Sequence, residues 1–203
     1  MGETMGPVTA IVLTGGRSSR MGAPKEFVTL CDGRAMVQHV IAALRPIASE
    51  VFLSVGTKPT EEQSNLGLPF LMDREPFEGP LFAIGNVMRE LPGRDLLIAC
   101  CDQPLLRAPI LSQLVAGTRE SLPAFFVTSN GADIVPFPSF FPASSHATLL
   151  AAIDSGERSL RRWAGAHPCR LVALEEKEAE SLQSFNSMAE LIRAGLVAAP
   201  PGV

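Results

Sequence analysis

The sequence predicts an α/β domain in which helices cover both faces of a mostly parallel β-sheet. Strand-length apolar runs alternate along the chain with segments whose apolar residues recur at helical spacing. The chain is 203 residues long, which suits one domain with a sizeable core. Three of the predicted strands end at a glycine pair or an aspartate, and parallel sheets bind ligands at those ends.

The first half of the chain supplies most of the predicted sheet. Residues 10–13 form a β-branched apolar run, which is typical of a strand buried on both faces. Further strands are predicted at 51–55, 69–72, 96–101 and 124–127. The spacing of apolar residues predicts helices over 36–44, 81–91 and 110–115, and the polar stretch 57–67 is predicted to be a mobile loop.

The second half of the chain is less regular. Pro136 and Pro138 interrupt the apolar run 134–138, which predicts an edge strand. The remaining predicted elements are a helix over 145–155, a short helix around Trp163, a last core strand at 170–174, a solvated charge run at 175–180 and a final helix after Asn186. Because no linker or repeat divides the chain, residues 1–197 are predicted to be one domain and 198–203 a loose tail.

The composition excludes several classes of protein. Hydrophobic residues make up 46% of the chain and charged residues 19%, which is typical of a globular domain. The formal net charge of -4 argues against a nucleic-acid partner. Since no apolar run is long enough to span a membrane and the first residues lack a basic signal region, we expect a cytoplasmic protein with no membrane partner.

The four cysteines predict buried thiols in a reducing compartment. No C-x-x-C pair occurs among Cys31, Cys100, Cys101 and Cys169. The adjacent residues Cys100 and Cys101 cannot easily form a disulfide with each other. Cys101 could instead be a reactive thiol, but a carboxylate beside it at Asp102 would raise its pKa and lower its nucleophilicity.

A glycine-rich basic segment follows the first strand. Gly15 and Gly16 are followed by Arg17, Arg20 and Lys25, which are separated mainly by small residues. Glycines let backbone N–H groups approach a ligand closely, and fixed cations neutralise a polyphosphate. The spacing fits neither the P-loop nor the dinucleotide fingerprint. The segment predicts a phosphate-binding loop, and the alternative is a Gly-Gly turn with solvated arginines.

Residues 13–25, L-T-G-G-R-S-S-R-M-G-A-P-K, resemble the nucleotidyltransferase signature L-A-G-G-x-S-x-R-M-G-x-x-K. Within that group the double glycine resembles the molybdenum cofactor guanylyltransferases, whereas the cytidylyl-transferring relatives usually have L-A-A-G. The chain departs from the pattern at Thr14, where alanine is usual. The resemblance implies a single Rossmann-like three-layer domain, similar to the nucleotide-diphospho-sugar transferases.

The resemblance also implies a reaction, the transfer of GMP from GTP to molybdopterin with release of pyrophosphate. GTP and molybdopterin would be the substrates, Mg²⁺ the cofactor, and molybdoenzymes or other cofactor-biosynthesis proteins transient partners. Arg20 and Lys25 would hold the triphosphate and stabilise the leaving pyrophosphate. The nucleotide would also contact the start of the signature at Leu13, Thr14, Gly15 and Gly16.

Asp102 is the main candidate for a catalytic metal ligand. It follows the buried run 96–101, where an unpaired carboxylate would cost desolvation free energy. Mg²⁺ prefers one or two carboxylates together with phosphate oxygens and water. The stretch C-D-Q-P-L resembles the family's C-D-x-P, whose aspartate holds the magnesium. The alternative is that Asp102 caps the following helix or begins the turn at Pro104.

Asp73 is predicted to belong to the nucleotide site. It follows the run 69–72, and D-R-E-P-F-E-G-P-L resembles the family's D-x-x-x-x-x-G-P-L. Gly79 and Pro80 match that pattern, whereas Phe82 is bulkier than the usual alanine, near the place where the base would lie. The alternative for Asp73 is an ordinary turn residue.

Two segments near the carboxyl end complete the predicted site. The stretch S-F-N-S is similar to the family's N-x-N-T-P-E, which implies that Asn186 contributes to the metal and substrate site. Ser187 and Glu190 could instead form a capping box that starts a helix. The stretch G-E-R-S resembles the segment where the family's pterin substrate lies, so Arg158 and Ser159 are predicted to meet the pterin phosphate.

Two other functions fit the sequence. One is a nucleotidyltransferase of the same fold that acts on CTP or on a sugar phosphate. The other is a non-catalytic nucleotide-binding domain, which the departures at Thr14, Phe82 and Ser184 leave open. A titration of GTP against CTP distinguishes the first, and nucleotide binding without pyrophosphate release would identify the second.

Overall fold

A computed structural model of the protein describes residues 7–14, 24–73, 79–116, 121–128, 131 and 133–199. The strands in these residues are β1 Val8–Leu13, β2 Glu50–Val55, β3 Phe70–Met72, β4 Asp95–Cys100, β5 Ala124–Val127, β6 Ile134–Phe141 and β7 Arg170–Ala173. The α-helices are α1 Met36–Leu44, α2 Glu61–Asn65, α3 Pro80–Glu90, α4 Ala108–Val115, α5 His146–Asp154, α6 Leu160–Ala166, α7 Glu176–Ala179 and α8 Met188–Arg193. None of these helices is long and apolar enough to cross a membrane.

The seven strands form one sheet in the order β3-β2-β1-β4-β6-β5-β7. The first four are parallel to one another, and β5 is parallel to β7. Only β6 runs antiparallel to its neighbours β4 and β5. The prediction of a mostly parallel sheet is therefore confirmed, and the carboxyl ends of β1 to β4 meet at one edge.

The position of β6 contradicts the predicted edge strand at 134–138. The strand lies inside the sheet, paired with β4 on one side and β5 on the other. It tolerates its prolines because an irregularity in the β5 pairing leaves residues 136–138 unpaired, while β4 pairs only from Ser139 onwards. Pro136 and Pro138 have no backbone N–H to donate. They thus lie where neither neighbouring strand pairs with them.

The predicted core strand at 170–174 is instead the edge strand β7. It pairs with β5 alone. Its side chains alternate between half-buried and exposed positions, and none of the four is fully buried. Leu171 is 52% exposed. The charge run that follows lies mostly in α7 and is largely solvent-exposed, as predicted.

The polar stretch 57–67, predicted to be a loop, contains the short helix α2. The Gln63 N–H donates to Thr60 Oγ1 at 3.2 Å, and the Thr60 N–H donates to Gln63 Oε1 at 2.9 Å. This capping box satisfies two amides at the start of the helix. The Gln63 side chain is buried beneath the helix, at 4% exposure.

Apolar side chains form a core on each face of the sheet, which makes the three layers that the sequence predicts. One core packs α1 and α4 against the sheet, and the other packs α3, α5 and α6 against its opposite face. All six residues of β1 are buried, as expected for a central strand covered on both faces. Alternate residues of β1 face the two cores, with Val12 in one and Ile11 in the other.

The cysteine prediction is only partly correct. All four thiols are free, and Cys101 is buried, while Cys100 and Cys169 are half-buried. Cys31 is exposed, because it lies in the turn that precedes α1.

Phe141 on β6 lies within the core that contains α3, α5 and α6. Its ring is fully buried, with its centroid 5.6 Å from that of Phe125 and 6.3 Å from that of Trp163. Phe141→Ala is expected to lower the free energy of unfolding by about 3–5 kcal/mol, because it leaves a cavity between packed rings. Urea denaturation followed by circular dichroism measures this change.

Leu171→Ala is the matched control for this prediction, because its side chain is 52% exposed on the edge strand. We expect it to change the free energy of unfolding by less than about 1 kcal/mol. Equal losses in the two variants would contradict the assignment of Phe141 to the core.

Candidate active site

A cavity opens at the edge of the sheet where β1 to β4 end. The ends of these strands contribute most of its wall, and the short 3-10 helix Lys25–Phe27, the first turns of α3 and Phe137 of β6 contribute the rest. The lining residues are Leu13, Thr14, Lys25, Ser54, Asp73, Pro80, Ala83, Cys100, Cys101, Asp102 and Phe137. Asp73 and Asp102, which were predicted to lie at this edge, therefore both line the cavity.

Lys25 and Asp102, which line this cavity, form a polar cluster with Asn186. The Lys25 ammonium donates to Asp102 Oδ2 at 2.7 Å and to Asn186 Oδ1 at 3.1 Å. These residues are far apart in sequence, and the fold brings them into direct contact. The Lys25 and Asp102 side chains are 21% and 12% exposed, so the ion pair is only partly screened by solvent.

A backbone contact holds the Asn186 segment against the end of β4. The Phe185 N–H donates to the Asp102 carbonyl oxygen at 2.8 Å. The Phe185 ring is fully buried in a small apolar cluster with Leu30, Met36 and Leu191. Burial of this ring fixes the position of the neighbouring Asn186 amide.

The carboxylate of Asp102 does not cap the following helix. The N-cap of α4 is Arg107, five residues further along the chain. Asp102 Oδ1 is buried and has no hydrogen-bond partner among the described residues. A buried carboxylate oxygen without a partner is costly unless a cation compensates it, so this oxygen fits a metal ligand better than a capping group.

The ammonium of Lys25 remains charged in this environment. Burial lowers its pKa, but the hydrogen bond and the negative charge of Asp102 outweigh that effect, and the net pKa is raised. Lys25 is therefore protonated throughout the neutral pH range and can neutralise an anionic ligand.

Asp73 lines the same cavity from the end of β3. Its N–H donates to the Val55 carbonyl at 3.1 Å, which ties it to β2, and Asn86 Nδ2 lies 3.5 Å from its Oδ1. Burial raises the pKa of its carboxyl group. The side chain faces the cavity and is more than a turn residue at the surface.

Gly79 and Pro80 start α3 beside Asp73. Gly79 is the N-cap residue with a φ of 96°, a conformation that favours glycine, and Pro80 occupies the first helical turn, where its missing N–H costs nothing. Pro80 lines the cavity. The G-P dipeptide therefore directs the start of α3 towards the site.

The glycine pair of the signature lies outside the described residues. Gly15, Gly16 and Arg20 all belong to the segment 15–23, which the described ranges do not include. The residues on either side of that segment, Thr14 and Lys25, both line the cavity. Their roles and those of the segment between them stay predictions.

Half of the capping box predicted at Ser187 and Glu190 forms at the start of α8. The Glu190 N–H donates to Ser187 Oγ at 3.3 Å, so Ser187 does cap the helix. The Glu190 carboxylate accepts a hydrogen bond from the Asn186 N–H at 2.6 Å. The cap thus uses the backbone of Asn186 and leaves its side-chain amide to contact Lys25.

Arg158 and Ser159 do not line the cavity. The guanidinium carbon of Arg158 lies 4.5 Å from the centroid of the Phe82 ring, which is a cation–π contact. Phe82 is on α3 next to Ala83, and Ala83 does line the cavity. Ser159 caps α6 by accepting from the Arg162 N–H at 3.2 Å. The bulky Phe82 therefore packs under Arg158.

Several residues of the cavity wall were not predicted to belong to the site. Ser54 and Phe137 line it, although one lies in the ordinary apolar run of β2 and the other in the proline-interrupted β6. Cys101 lines it as well, and burial raises the pKa of its thiol, which argues against a nucleophilic role. Only the strand-end position of Ser54 could have suggested its place.

Residues 10–172 match the family described as the MobA-like NTP transferase domain. The chain belongs to this family. It is therefore a nucleotidyltransferase, and the family that the sequence resembles is confirmed.

The nucleotidyltransferase is similar over most of its length to proteins named molybdenum cofactor guanylyltransferase. It is 30% identical over 196 residues to that of Burkholderia ambifaria, covering 91% of this chain and 93% of the relative. It is 26% identical over 171 residues to that of Shewanella sp. strain MR-4, covering 84% and 86% of the two chains. A probable molybdenum cofactor guanylyltransferase of Carboxydothermus hydrogenoformans is 38% identical over 113 residues, 56% of this chain and 55% of that one.

Solved structures confirm the fold of the nucleotidyltransferase. Molybdopterin-guanine dinucleotide biosynthesis protein A from Archaeoglobus fulgidus superposes with a TM-score of 0.73 at 21% identity, covering 92% of this chain and 96% of that one. Rv0371C from Mycobacterium tuberculosis, in a complex with manganese, superposes with a TM-score of 0.65 at 15% identity, covering 96% and 100%. The predicted Rossmann-like architecture is thus shared with both solved structures.

Proposed function

We propose that this nucleotidyltransferase transfers GMP from GTP to molybdopterin, forming molybdopterin guanine dinucleotide and pyrophosphate. The observation that carries the proposal is that Lys25 and Asp102, which line a cavity at the carboxyl edge of the sheet, are in direct contact, with Asn186 also bonded to Lys25. The names of the relatives supply the guanine base and the pterin acceptor. Neither substrate follows from the geometry alone.

The proposed chemistry is a direct displacement that needs no covalent enzyme intermediate. A terminal phosphate oxygen of molybdopterin forms a bond to the α-phosphorus of GTP, and the bond from that phosphorus to the bridging oxygen of the β-phosphate breaks. Pyrophosphate leaves with the bond's electron pair. The protein contributes alignment and neutralisation of charge, which in a partly water-excluded cavity account for most of the rate enhancement.

Lys25 is the residue proposed to neutralise the phosphates. Its ammonium is charged at neutral pH and lines the cavity next to the end of β1. Arg20, in the same signature, is proposed to share the charge of the leaving pyrophosphate. Leu13 and Thr14, with Gly15 and Gly16, are proposed to contact the nucleotide through their backbone.

Asp102 and Asn186 are proposed to hold a Mg²⁺ ion. The partnerless Asp102 Oδ1 and the nearby Asn186 Oδ1 are hard oxygen donors of the kind that Mg²⁺ prefers. The described residues contain no cluster of three or more acidic, histidine or cysteine ligands, which fits an ion that takes its remaining ligands from phosphate and water. When bound, the ion would polarise the phosphate oxygens and offset negative charge.

The nucleoside and the pterin are proposed to occupy different parts of the site. Asp73, Gly79 and Pro80 would border the nucleotide, because Asp73 and Pro80 line the cavity. Arg158 and Ser159 would meet the pterin phosphate on the outer side of Phe82, where the Arg158 guanidinium lies on the ring. The product would then pass to a molybdoenzyme or another cofactor-biosynthesis protein.

An assay of pyrophosphate release with each nucleoside triphosphate tests this function. With Mg²⁺ and molybdopterin, we expect GTP to react at least about tenfold faster than CTP, ATP or UTP. Without molybdopterin or after chelation of the metal, release should fall to background. Preference for CTP would assign the chain to a cytidylyl-transferring relative, and nucleotide binding without any release would show a non-catalytic domain.

A further inference from the structure

The buried amide of Gln63 connects α2 to both sides of the signature segment. Its Oε1 accepts from the Thr60 N–H at 2.9 Å. Its Nε2 donates to Thr14 Oγ1 at 3.1 Å and to Glu26 Oε1 at 3.2 Å. Because one partner is a donor and the other two are acceptors, these contacts fix the orientation of the amide.

The two acceptors lie next to the groups that line the cavity. Thr14 directly follows β1 and lines the cavity itself, and its hydroxyl donates to the Ser54 carbonyl at 2.9 Å. Glu26 directly follows Lys25 in the 3-10 helix. Thr14, Glu26 and Gln63 are each no more than 4% exposed, so solvent cannot replace these hydrogen bonds.

The carboxyl group of Glu26 is costly to bury at this position. Desolvation raises its pKa, and the hydrogen bond from Gln63 and the charge of Lys25 offset only part of that effect. The other titratable groups that act on it are Glu62, on α2, and the thiol of Cys101, beyond β4. The hydrogen bond from Gln63 therefore offsets part of the cost of burying this group.

We propose that Gln63 is a positioning residue that holds Thr14 and the Lys25–Glu26 turn at the spacing that the phosphates of the bound nucleotide require. The inference rests on the proposed function, because it assigns Lys25 to the triphosphate. It also gives a reason for the hydroxyl at Thr14, where the family usually has alanine: the hydroxyl accepts from Gln63 and donates to β2.

Gln63→Glu tests this role with little disturbance of α2. Glutamate has nearly the same shape, and its remaining oxygen can still accept from the Thr60 N–H, because glutamate is a favoured third residue of a capping box. At pH 8 the variant loses the donor to Thr14 and Glu26 and places a second carboxylate against Glu26. We expect the dissociation constant for GTP with Mg²⁺, measured by calorimetry, to rise about tenfold at pH 8.

Acid should restore the affinity of the Gln63→Glu variant. Its new carboxyl group and that of Glu26 form a pair, and protonation of this pair supplies the missing donor. We therefore expect most of the loss to disappear at about pH 5.5, relative to the wild type at the same pH. The double variant Glu26→Gln with Gln63→Glu exchanges donor and acceptor. It restores the hydrogen bond between positions 26 and 63 but not the donor to Thr14, so it should recover part of the GTP affinity at pH 8. It keeps the proposal testable if the single variant does not fold.

Gln113→Glu is the matched control. Gln113 Nε2 donates to Glu178 Oε1 at 3.0 Å, a similar pair that does not line the cavity. It should leave the GTP dissociation constant within about twofold of the wild type at both pH values.

The outcomes separate the two proposals. A wild type that binds no nucleotide would overturn the proposed function and this inference with it. A wild type that binds GTP, together with a Gln63→Glu variant that binds equally well at pH 8, would overturn the inference alone. A loss that neither acid nor the exchange of donor and acceptor reverses would show a general packing defect and would also overturn it.

Discussion

Asp102→Asn is expected to lower the rate of pyrophosphate release with GTP and molybdopterin at least about a hundredfold. The substitution keeps the size of the side chain and one oxygen, but it removes the negative charge proposed to hold Mg²⁺. The backbone contact from Phe185 to the Asp102 carbonyl oxygen does not depend on the side chain. The thermal unfolding of the variant should therefore remain cooperative.

Asp95→Asn is the matched control for this experiment. Asp95 lies at the other end of β4, where its Oδ1 accepts from the Ala143 N–H at 2.9 Å, far from the cavity edge. This variant should keep most of the activity of the wild type. Turnover of Asp102→Asn at the wild-type rate would remove Asp102 from the mechanism.

Lys25→Met is expected to lower kcat/KM for GTP about 10- to 100-fold, because it removes a charge-assisted hydrogen bond of the kind worth about 1.5–3 kcal/mol. Methionine keeps much of the length and the apolar stem of the side chain. Lys25→Arg keeps the charge and should retain a larger part of the activity, although its planar fork fits the Asp102 and Asn186 contacts less well. Initial rates of pyrophosphate release measure both variants.

Lys177→Met provides the comparison for Lys25. The Lys177 ammonium also pairs with a carboxylate, Glu175 at 2.7 Å, but its side chain is 79% exposed on α7. We expect no loss of kcat/KM from this control. Wild-type kinetics in Lys25→Met, or an equal loss in both lysine variants, would contradict a phosphate-binding role for Lys25.

The central part of the fold could be predicted because its pattern is local. β1 and β4 are continuous apolar runs that end at the glycine pair and beside Asp102, and their parallel pairing follows from the helices between them. The position of β6 could not be predicted, since Pro136 and Pro138 are tolerated only because the pairing of β5 and β6 is irregular there. That irregularity depends on how the two strands pair, and the sequence of neither strand alone indicates it.

The candidate site also contains some residues that could be predicted from the sequence and others that could not. Lys25 and Asp102 lie within short motifs, so their chemistry can be inferred from the sequence, and the structure adds that they are in direct contact. Gln63 lies in a polar stretch that lacks apolar periodicity. The Thr60-x-x-Gln63 capping box is the one sequence signal for α2, and nothing in it shows that the amide reaches Thr14, 49 residues away.

A crystal structure of the protein with GTP and Mn²⁺, with anomalous scattering recorded for the metal, tests the central claim most directly. The account predicts an anomalous peak bound to the Asp102 carboxylate, with the triphosphate beside the Lys25 ammonium in the cavity at the ends of β1 to β4. A nucleotide or a metal peak located away from Lys25 and Asp102 would contradict it.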